Sequence, residues 1–183
     1  MKYPTPADIA EMKARGHDPI TIEEAERKSK RWTYAQEVCR VIESAFAGVT
    51  LGNGVGLQEA QGLDDYAGAE TCAAYRSNDE KNDWHSISGK ALRRCSSSLS
   101  FFDAEGMRFH LPAYLIADLR GEYGFGMVFC LTQTGDYDRY FRLLSDAQRG
   151  AVRAFLLHLL DDRDYEFDRP HILRALDEYW TEN

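Results

Sequence analysis

The chain has no long apolar run, few cysteines and no excess of positive charge, and each shortage excludes a class of protein. No stretch approaches the ~20 consecutive apolar residues that a membrane-spanning helix needs. The four cysteines, Cys39, Cys72, Cys95 and Cys130, lie far apart in the 183 residues, so there is neither a disulfide framework nor a C-x-x-C pair. The opening Met1-Lys2-Tyr3-Pro4 runs into polar sequence with no apolar leader. These features together predict a reducing cytoplasm and free thiols. Lys and Arg number 22 against 30 Asp and Glu, a net charge of −8. A chain of that sign lacks the basic face that displaces counterions from nucleic acid.

The usual signatures of catalysis are also missing. There is no G-x-S-x-G elbow, and Ser86-Ile87-Ser88-Gly89-Lys90 misses the S-x-x-K spacing. Metal-ligating residues do not converge at short spacing. His158 and Asp162 stand four apart and read as an ion pair on one helix face. Cys130 falls in an apolar run and reads as a buried thiol. The cluster Gly52-Asn53-Gly54-Val55-Gly56 forms no G-x-G-x-x-G, has no Lys-Ser/Thr after it and follows a helix rather than a strand. It reads as a flexible turn. The sequence therefore implies no cofactor and no metal.

What is present is the composition of an ordered domain. Hydrophobic residues make up 44% and charged residues 28%, ordinary values for a globular chain that buries one core. The expectation is a single domain over residues 1–183, with 1–31 as a helical N-terminal extension.

Helix signals dominate. Thr5-Pro6 marks a start and Gly16 a stop. Thr21 with Glu24 reads as a capping box opening a helix that runs to Phe46, with Ala35, Val38 and Ile42 on one face. Its basic, apolar-poor first half reads as a separate short helix. Short helices are expected from Leu57 to Leu63, after Glu70 and behind Ser88. Ser145 with Gln148 opens a helix striped by Val152, Phe155, Leu156 and Leu159. Asp168-Arg169-Pro170 opens the last one.

Between these helices lies a β signal. Residues 99–103 and 107–111 flank Ala104-Glu105-Gly106 at hairpin spacing, and Met107, Phe109 and Leu111 alternate with Arg108 and His110. Phe125, Met127, Phe129 and Leu131 alternate again, predicting a third strand over 125–132. The expected class is therefore α+β: helix-rich, with a small antiparallel sheet packed against helices.

Three functional readings follow. Adjacent carboxylates at Asp64 and Asp65, with Arg108 and His110 on one strand face, would make an acid–base site if they converged, Trp84 and Tyr114 shaping its pocket. That is the hydrolase-like reading. A dimeric scaffold reading takes Trp180 on the last helix as its contact. The third, favoured here, is a non-catalytic binding protein. Residues 161–183 carry eight acidic and three basic residues, and residues 61–83 six and two. Such stretches, with Asp161, Asp162 and Asp164 prominent, would steer a basic protein partner. An immunity-type protein that neutralises a basic toxin has this character.

A family resemblance rests on several segments. They are Asp64-Asp65-Tyr66, Trp84 with Ile87, Leu99-Ser100-Phe101-Phe102 with Glu105-Gly106, and Arg108-Phe109-His110-Leu111-Pro112-Ala113-Tyr114-Leu115. Later come Leu144-Ser145 with Gln148, Val152 and Phe155-Leu156, then Ala175-Leu176 with Tyr179-Trp180. Over residues 35 to 180 the chain resembles an uncharacterised bacterial family, domain of unknown function 6714. The resemblance implies a helix-rich α+β domain and carries no catalytic residues. The chain departs from the pattern at His110, where an aromatic residue is expected, and the strand near Phe125 has no counterpart.

Overall fold

Capping chemistry sets most of the helix starts. In the computed structural model, which describes residues 3–133 and 137–181, Thr5 caps α1 (Pro6–Ala14) in a reciprocal box with Asp8. Helix α2 (Pro19–Ala45) is one continuous rod of 27 residues, not a short helix followed by a longer one. Its cap is Asp18, whose carboxylate accepts the Thr21 N–H at 3.0 Å; the expected Thr21 box is displaced by this earlier acceptor. Helices α3 (Leu57–Asp64) and α4 (Ala69–Asn78) form a hairpin. Ser88 caps the short α5 (Gly89–Arg94).

The centre of the molecule is α6 (Ala104–Leu119), where the β-hairpin over 99–111 was expected. Among the described residues there is no β-strand, so the class is all-α. Asp103 decides the local outcome: its carboxylate accepts the Gly106 N–H at 2.7 Å and starts a helix at Ala104. Thirteen of the sixteen residues of α6 are buried. A helix buried all round shows no polar face, so an alternating apolar pattern can lie within it as well as within a strand. Pro112 lies inside this helix, and its missing N–H frees the Arg108 carbonyl from the helical ladder.

The expected third strand does not form either, and its second part is helical. Gly124 and Gly126 take positive φ (85° and 74°), and the chain then enters α7 (Val128–Thr132). Met127 and Leu131 are buried while Phe125 and Phe129 are exposed. The apparent period two runs across a helix start: Met127 and Leu131, one turn apart, face in, whereas Phe125 precedes α7 in the glycine turn and Phe129 lies on its outer side.

After α8 (Tyr137–Phe141), Ser145 and Gln148 make the expected reciprocal cap of α9 (Asp146–Leu160). Helix α10 (Arg169–Glu178) carries proline in its first turn. Helices α2, α5 and α8 pack on α6, α9 lies against α2, and α10 bridges α7 and α9. Ile42, Phe46, Phe109, Tyr114, Phe155 and Trp180 share the buried core cluster.

Candidate functional site

Asp64 and Asp65 sit at the C-terminal end of α3, where the Gln61 side-chain amide donates to both, at 3.5 and 3.2 Å. Arg108 and His110 lie on α6, where a turn of about 100° per residue sets residues two apart about 200° around the axis. They therefore point to nearly opposite sides, and the strand face that would have joined them does not exist. Arg108 is half-buried; His110 is buried.

The His110 ring stacks on Phe102 at 4.4 Å, and its Nδ1 lies 2.7 Å from the Gly106 carbonyl oxygen. A carbonyl can only accept, so Nδ1 holds the proton and Nε2 carries the lone pair. Burial lowers the imidazole pKa to about 4, the bond to Gly106 opposing and the Arg76 charge assisting. Such a ring is a weak acceptor near neutral pH, far from a base tuned to the medium. Thiol chemistry is no better served: burial pushes Cys39 and Cys95 up, and Cys130 up to about 12.

The aromatic residues expected to shape a pocket belong largely to the core. Trp84 is buried and its indole N–H donates to the Phe46 carbonyl at 3.0 Å. Tyr114 is fully buried, its hydroxyl donating to the Cys95 carbonyl at 3.4 Å; burial pushes its phenol well above the usual range. Trp180, expected as a dimer contact, is fully buried as well, with its indole N–H on the Leu131 carbonyl at 2.9 Å.

The three acidic candidates near the end of α9 divide. Asp161 and Asp164 are exposed, whereas Asp162 is buried and ion-paired with Arg31 of α2. His158 and Asp162 are thus not a surface pair on one helix, because α9 ends at Leu160 and Asp162 turns inward to Arg31. Both line a cavity of about 110 Å³ together with Asp118 and Tyr165. Burial raises the Asp118 carboxyl to about 6 against the pull of the Met127 N–H, 3.2 Å away. Burial and the Arg31 charge lower His158.

Sequence reasoning missed a set of exposed phenylalanines. Phe129 is 76% exposed and Phe125 65%. Phe129 lines a groove with Asp168, His171 and Arg174 of the α10 start. Phe167, immediately before Asp168, is 93% exposed. Exposed carboxylates at Asp161, Asp164 and Glu166 stand in the same connection between α9 and α10. The available signal was Phe167 itself, an aromatic residue set among charges at a helix boundary.

Among the described residues no helix is long and apolar enough to cross a membrane. No curated protein and no solved structure matches the chain. Residues 34–183, from the middle of α2 onward, match a described family. The chain belongs to that family, the family of unknown function DUF6714.

Proposed function

We propose that this is a cytoplasmic, non-catalytic binding protein that docks a basic protein partner, as an immunity protein docks the toxin it neutralises. The observation that supports the reading is exposed Phe167 in the connection between α9 and α10, where Asp161, Asp164 and Glu166 are exposed as well, next to Asp168 of the groove that Phe129 lines. Large aromatic side chains anchor interfaces by filling pockets on the partner, and charges around them set orientation and encounter rate. Asp161, Asp164 and Glu166 supply a negative rim. Asp162 does not, because its charge is answered internally by Arg31.

The test is association with the basic protein encoded beside this one, followed by stopped-flow at rising ionic strength. The reading expects the on-rate to fall about tenfold or more between low and high salt, while dissociation changes little. A neighbouring gene product that is not basic, or an association indifferent to salt, counts against it.

A further inference from the structure

The cavity of about 110 Å³ lies where α2, the end of α6 and the end of α9 meet. Arg31 and Trp32 of α2 line it with Asp118 of α6, His158 of α9 and, beyond α9, Asp162 and Tyr165; Tyr3, also on its wall, stacks on Trp32 at 4.4 Å. The formal charges around it do not cancel. Arg31 pairs with Asp162, and burial with the Arg31 charge keeps the His158 imidazole neutral near neutral pH. Asp118 is left over. One of its oxygens accepts the Met127 N–H at 3.2 Å. Its other oxygen has no donor among the described residues and is not sealed from solvent. No Lys, Arg or His of the described residues pairs with this carboxylate.

The charged ends of these side chains surround one space. Burial pushes the Tyr165 phenol up, and the Asp118 and Asp162 charges push it further, against the pull of Arg31. A field from all three at one hydroxyl brings their charged ends, not only their backbones, towards Tyr165. Leu119 and Leu159 add apolar wall. A carboxylate without a cation, beside a phenol oxygen and an apolar side, is complementary to an ammonium on a short carbon stem. An apolar cavity of about 150 Å³ holds benzene, so this smaller one suits a stem of about two or three carbons.

We propose that this cavity binds an alkylammonium group, its N–H groups donating to the Asp118 carboxylate and the Tyr165 hydroxyl oxygen, its stem lying against Leu119 and Leu159. The proposal does not rest on the docking of a basic partner. Asp162 and Tyr165 line the cavity, whereas Asp161, Asp164 and Glu166 of the same connection are exposed.

Ethylammonium chloride is the probe, with ethanol as its uncharged counterpart and NaCl as the ionic control. Each is titrated into uniformly ¹³C-labelled protein while the Asp118 carboxyl carbon is followed from pH 4 to pH 8. Ethylammonium is expected to draw the Asp118 midpoint saturably downward, because a bound cation favours the ionised form. Tyr165 and Trp32 ring signals should move in step. Binding should be about tenfold weaker at pH 5 than at pH 7.5, since a carboxyl titrating at about 6 is mostly protonated at pH 5. Asp118→Asn keeps an acceptor for the Met127 N–H and removes the charge, so the ring signals should no longer respond. Nα-acetyl-lysine amide identifies the source: no response assigns a free amine, and a response assigns a lysine side chain. An Asp118 midpoint in the wild type that ignores ethylammonium, or that moves equally with ethanol or NaCl, overturns the proposal.

Discussion

Arg31 on α2 and Asp162 beyond the end of α9 form an ion pair across 131 positions of sequence. Arg31 precedes residue 34, where the family match begins, so this pair fastens the first part of α2 to the family's own helices. The Asp162 side chain is 9% exposed and that of Arg31 33%. Removing one partner of a fully buried pair costs about 3–5 kcal/mol, and solvent at Arg31 reduces this to about 1–3. Arg31→Ala and Asp162→Asn should each lower stability by that amount in urea titrations. Asp161→Lys and Asp164→Lys, at exposed positions, should stay within about 0.5 kcal/mol.

A second contact joins Gly54 to Gly106. A Cβ on Gly54 would strike the Gly106 amide nitrogen and lie 2.7 Å from Glu105 Cβ, and one on Gly106 would lie 2.5 Å from the Val55 carbonyl oxygen. Helix propensity alone would favour alanine at Gly106 by about 1 kcal/mol. Overpacking of about 1–3 kcal/mol should reverse that sign, so Gly54→Ala and Gly106→Ala are both expected to destabilise. Gly150 on α9 has open space around its added Cβ. Gly150→Ala should therefore stabilise by about 0.5–1 kcal/mol, and chemical denaturation of the three variants checks the contrast.

Buried His110 and half-buried Asp118 give opposite pH signatures. Asp118 is raised to about 6 from 3.8, so its contribution falls as pH rises through that window, by about 3 kcal/mol in all. Asp118→Asn should gain that much on the wild type between pH 4 and pH 7. His110 is lowered to about 4 from 6.5, so its contribution is whole above pH 6.5 and is lost as pH falls towards 4. His110→Phe should gain about 3 kcal/mol on the wild type on going from pH 7 to pH 4. Denaturation curves across this range read both differences.

Trp180 closes the core from the C-terminal end. Its ring meets Phe141 at 5.1 Å, and Arg153 donates to its carbonyl at 2.8 Å. Trp180→Ala should cost about 3–5 kcal/mol, seen as a fall in Tm. The sizing-column elution of the folded variant should match that of the wild type, since the indole is not a contact between copies.

Helix ends that carry their own caps were legible in the sequence. Thr5, Ser88 and Ser145 each bond a backbone N–H three residues on, a relation any reader of the chain can see. The start of α3 was reached from its apolar spacing, but its real cap, Asp79, comes from more than twenty residues away. The glycine cluster before it looked flexible; instead Asn53 and Val55 donate to Glu105 and Asp103, and Arg76 donates to Gly52. Such closure belongs to tertiary structure. The β reading failed at α6 because burial on every side erased the polar face that marks a helix. Of the candidate site residues, Asp161 and Asp164 kept the exposure their charge suggested, while Trp84, Tyr114, His110 and Asp162 were drawn inside.

The proposed docking face is tested most directly by calorimetry with the product of the neighbouring gene, comparing wild type, Phe167→Ala and the double variant Asp161→Lys with Asp164→Lys. An anchor residue at an interface is worth about 2 kcal/mol or more, so Phe167→Ala should weaken binding about thirtyfold with Tm unchanged. The charge-reversed protein should bind at least tenfold more weakly, and less so as salt is added. Equal affinity across the three folded proteins would contradict the account.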